Sequence, residues 1–61
     1  LSFLLYTLAC AEAQLGEIDA AFEQLQAAVA QRPSLADDAQ HDDDLAPLHS
    51  DSRFSRLCAS E

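Results

Sequence analysis

The sequence predicts an all-α fold: an antiparallel helical hairpin followed by a short C-terminal capping segment of helix. Three observations point there. Twelve Ala and ten Leu stand against one Gly, and Thr7, Ile18 and Val29 are the β-branched residues. That composition favours helix over sheet. Apolar residues recur at helical period in two successive stretches. Gly16 and Pro33 fall where those stretches must stop.

The first helix is expected over residues 2–15, which hold no Gly or Pro. Leu1, Leu4, Leu5, Leu8 and Leu15 share an i, i+3, i+4 spacing interrupted by Glu12. Phe3, Tyr6, Cys10 and Ala13 make the opposite side apolar or small as well. A helix apolar on both sides is expected to be buried on both sides. Gly16 then suits the left-handed position that ends a helix.

The second helix follows at once. Ile18, Ala21, Phe22, Leu25, Ala28 and Val29 form an apolar stripe, and Glu23, Gln24, Gln26 and Gln31 fill the other face. Asp19 complements the helix dipole in the first turn, and Arg32 is expected to do so in the last. Pro33 prevents continuation. A one-to-three-residue link makes the two helices antiparallel, so residues 1–33 form one helix-turn-helix unit.

Residues 34–61 read as an acidic linker and capping helices. Ser34 is expected to cap a third helix anchored by Leu35 and Ala39. Leu45 and Leu48 bracket Pro47 in one short helical turn. Asp51 looks like an N-cap, and Phe54 with Leu57 gives the last helix an apolar edge.

Residues 5–33 resemble a tetratricopeptide (TPR) repeat, whose period is about 34 residues. Leu5, Leu8, Ala9, Gly16, Ala21, Leu25, Ala28 and Pro33 carry the likeness in register. The resemblance implies that Ala9 and Ala21 let the helices approach while Leu5, Leu8, Phe22 and Leu25 fill the seam. Glu12 departs from it, standing where the repeat has an aromatic, as would suit the last repeat of an array. The tail is similar to a segment that closes bacterial repeat arrays, Asp-Pro-x-Leu-x-x-Leu-Arg-x-Asp-Pro-Arg-Phe-x-x-Leu. Asp42, Asp44, Leu45, Leu48, Asp51, Arg53, Phe54 and Leu57 keep that pattern, while Asp43, His49 and Ser52 depart from it.

Charge narrows the function. Three Arg and no Lys oppose eleven acids, a net charge of −8. Phosphate backbones and anionic membranes need basic clusters, so nucleic acid and membrane surfaces are not expected partners. Seven of the acids lie in residues 34–61, where the run Asp37–Asp44 reads as a solvated face. No run of residues is long and apolar enough to span a bilayer. The opening LSFLLYTLAC has an apolar stretch like that of a signal peptide or lipoprotein leader but lacks its basic start. The expectation is therefore a cytoplasmic chain whose first helix is an ordinary one.

Chemistry finds little support. Sixty-one residues offer no pocket of enzymatic size, and neither Cys10 with a His nor Ser50 with His49 and Asp51 has the spacing of a catalytic group. His41 and His49 lie eight apart, which fits no zinc spacing, and both are expected to face solvent. Asp42-x-Asp44 opens like a calcium loop but lacks its Gly and closing Glu. No cofactor or metal is expected, and Cys10 and Cys58 form no disulfide framework.

The expected function is a non-enzymatic protein–protein interaction module, the terminal repeat of a TPR scaffold. The alternative is a dimerisation or regulatory appendage of a larger enzyme. The resemblance places the binding wall on the first helix, at Phe3, Tyr6, Cys10, Ala13 and Gln14, and an apolar or basic protein segment is its expected partner. The same wall would otherwise be covered by an upstream repeat or by a second subunit, so a homo-oligomer is expected for the isolated chain.

Overall fold

The computed structural model describes residues 1–58 and is all-α among them. Helix α1 spans Ser2–Gln14, α2 Ile18–Gln31 and α3 Leu35–Gln40. A 3-10 turn, Asp43–Leu45, leads into α4, Ala46–His49, and α5, Ser52–Cys58, closes the described chain. The last residues of the capping segment, 59–61, lie outside the described residues.

The hairpin turn is built from one backbone motif. Gly16 has φ +83°, a value that L side chains avoid. Its N–H donates to Ala13 O at 3.1 Å, and the Glu17 N–H donates to Glu12 O at 2.9 Å. Those two bonds satisfy carbonyls that the end of α1 would leave open. At the far end of α2, Arg32 is extended, at φ −141° and ψ 91°, as a residue preceding proline tends to be. Arg32 thus stands just past the helix instead of in its last turn, and its guanidinium lies over the Phe3 ring, 5.0 Å from the centroid.

The hairpin seam is made of small residues on both sides. Ala9 and Ala13 of α1 and Ala21 and Ala28 of α2 are buried, with Phe22 and Leu25 between them. The expected α2 stripe therefore faces inward. The α1 face does not follow expectation. Leu1, Leu4, Leu8 and Leu15 are 80, 70, 44 and 76 % exposed, so Leu8 does not fill the seam. Apolar side chains lie on both the inner and the outer side of the helix, and size is what separates them. The alanine face allows α2 to come close, and the leucine face is left outside.

The tail folds back over the hairpin. Leu45 and Leu48 are fully buried and Phe54 nearly so, in one cluster with Ala9, Ala13, Phe22 and Leu25. Leu35 and Ala39 anchor α3 as expected. Ser34 makes no side-chain capping bond, because its backbone is already helical, at φ −63° and ψ −18°. Asp51 does cap α5: its Oδ1 accepts from the Arg53 N–H at 2.9 Å.

Ala21 is fully buried where the helices meet, while Ala27 is exposed. Ala21→Leu should lower stability by about 1–3 kcal/mol through overpacking, and Ala27→Leu should change it by less than about 0.5 kcal/mol. Thermal melts of the two variants check this; equal melting temperatures would contradict the alanine seam.

Candidate protein-interaction site

Two sides of α1 are candidates, and the structure treats them differently. On one side, Tyr6, Cys10, Ala13 and Gln14 meet the chain's own Asp42–Asp44 stretch. The Tyr6 hydroxyl donates to Asp42 Oδ2 at 2.9 Å, and Gln14 Nε2 donates to the Asp44 carbonyl at 2.8 Å. Ala13 is only 2 % exposed. Phe3, the fifth residue of the expected wall, stays exposed beneath Arg32. Four of the five wall residues are thus engaged within the chain.

Asp42 organises this side. Its Oδ1 accepts from the Asp44 N–H at 3.0 Å and fixes the 3-10 turn, while its Oδ2 holds Tyr6. One short carboxylate therefore caps a turn and ties that turn to α1. Burial, then the bond to Asp42, raises the Tyr6 phenol above its ordinary value. Burial, with the Asp42 and Asp44 carboxylates beside it, pushes the Cys10 thiol up to about 11. Both effects favour the neutral form, because an anion here would be partly desolvated and close to carboxylates.

The donor atoms of Cys10, Asp42 and Asp44 lie within 4.8 Å of one another. They are the residues that would hold a cation on this side, although both Asp42 oxygens already accept hydrogen bonds. The two histidines do not join them. His41 Nδ1 lies 3.0 Å from Asp37 O, and His49 Nε2 lies 3.0 Å from Ala39 O. His49 is also stacked at a tilt on Phe54, with ring centroids 4.7 Å apart. It is a half-buried packing residue, whereas the sequence placed it in solvent. Cys58 Sγ lies 3.5 Å from Ala36 O, and both thiols are free.

Arg53 fastens α5 to the hairpin, a role that sequence reasoning did not assign. It pairs with Asp19 at 2.9 Å and Asp51 at 3.0 Å, and its guanidinium lies 4.5 Å from the centroid of the Phe22 ring. The bonds from Arg53 hold the Asp51 carboxyl below its usual value. Asp19 was legible as a helix-dipole residue, but a partner thirty-four positions away leaves no local pattern.

The other side of α1 presents Leu1, Leu4, Leu8 and Leu15 to solvent. Thr7 and Ala11 are exposed beside them. Glu12, at the edge of this face, has a buried Oε1 with no hydrogen-bond partner among the described residues. No helix among the described residues is long and apolar enough to cross a membrane. No known protein family, curated protein or solved structure matches this chain.

Two titrations test the polar contacts. The lowered Asp51 carboxyl contributes stability above about pH 4, where an unfolded Asp titrates, and loses that contribution as pH falls through its folded value. The stability gap between the native chain and Asp51→Asn should therefore close as pH falls below about 4 and through the lowered folded value. The raised Tyr6 phenol acts at the other limb. Its contribution is complete below about pH 10 and is lost as pH rises through the folded value. Tyr6→Phe should cost about 1 kcal/mol at neutral pH and soften the alkaline decline. Urea unfolding across pH reads both, and parallel pH profiles for variant and native chain would refute the assignments.

Proposed function

We propose that this chain is a non-enzymatic protein–protein interaction module, the terminal repeat of a TPR-like scaffold closed by its capping segment. The observation that carries the reading is the leucine face of α1. Four leucines between 44 and 80 % exposed, two within α1 and two at its caps, form an apolar surface, and soluble chains keep such surfaces for partners. The residue pattern of 5–33 and the tail pattern of 42–57 support the repeat assignment. The fold supports it further, because the tail covers one side of the hairpin and leaves the other open.

The partner is an apolar helix or segment laid along α1. This reading moves the docking surface from the Tyr6 wall, which the chain's own tail occupies, to the leucine face. We place the module in the cytoplasm, a compartment that suits two free thiols.

A labelled amphipathic helical peptide with a leucine stripe and lysine flanks tests the proposal by fluorescence anisotropy. Binding tighter than about 100 µM is expected, with at least a tenfold loss in Leu8→Gln. Tyr6→Phe should bind as the native chain does. Absence of binding, or binding unchanged in Leu8→Gln, would overturn the leucine face as the docking surface.

A further inference from the structure

The leucines of α1 do more than share a face. Leu1, Leu4, Leu8, Ala11 and Leu15 alternate three- and four-residue steps, the spacing of the a and d positions of a helical heptad. All five are exposed. A seam of this period is matched by another helix carrying the same period, because each apolar knob meets a hole formed by four residues opposite. Within the chain, α2 packs on the alanine face, and none of the described residues covers the heptad seam.

We propose that the occupant of this seam is α1 of a second copy of the chain. The inference rests on the interaction-module reading and names the partner of that same surface. Three observations select a second copy. The first is self-matching: two identical helices with this spacing interlock without change to either. The second is charge. The seam itself holds no charged residue, and the positions flanking it are Leu5, Thr7, Glu12 and Gln14. In a register-matched pair, parallel or antiparallel, Glu12 of one copy meets an uncharged residue of the other. The acidic stretch is tied to the opposite side of α1 through Tyr6 and Asp42. A chain of net charge −8 repels its copies over most of its surface, and this neutral strip is where they can approach. The third is area. Complete cover of the exposed seam residues would remove on the order of 500 Å² per copy, a total at the lower limit of a specific contact.

The seam runs from the N-cap Leu1 to the C-cap Leu15 of a 13-residue helix, which is short for an isolated coiled coil. Here α1 is already ordered by α2 and the tail, so association does not have to nucleate it. Two hairpins joined along their first helices form a four-helix arrangement with the second helices and capping segments outside.

Sedimentation of the full chain tests this between about 5 and about 200 µM, the range in which an interface of this size associates. The expected result is a mass of about 13 kDa, twice the 6.6 kDa chain. Added salt should strengthen association by screening the like net charges. The Leu4→Gln/Leu8→Gln variant should sediment at the single-chain mass with unchanged helical circular dichroism, since both positions are exposed. A single-chain mass for the native protein throughout that range would overturn the proposal. So would a dimer that persists in the double variant. If the native chain is monomeric but still binds the leucine-striped peptide, the module reading stands and self-pairing alone fails.

Discussion

The closure of the tail onto the hairpin is the contact on which the rest of this fold depends. The seam between α1 and α2 is lined mainly by alanines, which bring the backbones together but bury little apolar area each. The largest fully buried side chains are Phe22, Leu25, Leu45 and Leu48. Two of those four belong to the tail. A hairpin without Leu45 and Leu48 would lose the side chains that share a cluster with Phe22 and Leu25, and a chain of this size has little surplus with which to offset that. The capping segment is therefore part of the core and not an addition to it.

Two aspartates make the closure specific. Asp42 and Asp51 each accept a hydrogen bond from the N–H two residues on, which fixes the turn that follows. Each also serves a long-range contact. Asp42 receives the Tyr6 hydroxyl of α1, and Asp51 orients Arg53 toward Asp19 of α2. The hydrophobic residues of the tail supply the driving force, which has no direction. These hydrogen bonds supply the direction, by setting where each turn begins relative to a named residue of the hairpin.

Much of this was legible in the sequence, and the reason is local. Gly16 and Pro33 mark the ends of α1 and α2 because their backbone preferences act on the residue itself. The α2 stripe is legible because polar residues occupy the other face. Asp51 and the buried Leu35, Ala39, Leu45, Leu48 and Phe54 follow from turn chemistry and short-range spacing. What was not legible depends on choices between equivalents or on distant partners. Periodicity names a helix, but it cannot say which of two apolar faces turns inward. Arg53 and His49 find their partners through the path of the tail, and neither carries a local signal of it.

The orientation of α1 follows from combining these constraints. Helices can approach to the short end of the usual 8–10 Å range only where the facing residues are small. Turning the leucine face inward would set Leu4, Leu8 and Leu15 against Phe22 and Leu25 and drive the helices apart. It would also carry Tyr6 and Gln14 away from Asp42 and Asp44, breaking the two hydrogen bonds that seat the tail. The alanine face avoids both consequences, since Ala9 and Ala13 leave room for the side chains that Leu45, Leu48 and Phe54 insert. The exposed leucines are thus the counterpart of a closely packed interior. The same rotation of α1 that brings Tyr6 to Asp42 sets Leu4, Leu8 and Leu15 on the side away from the acidic turn, so an apolar face and an acidic one arise from a single packing decision.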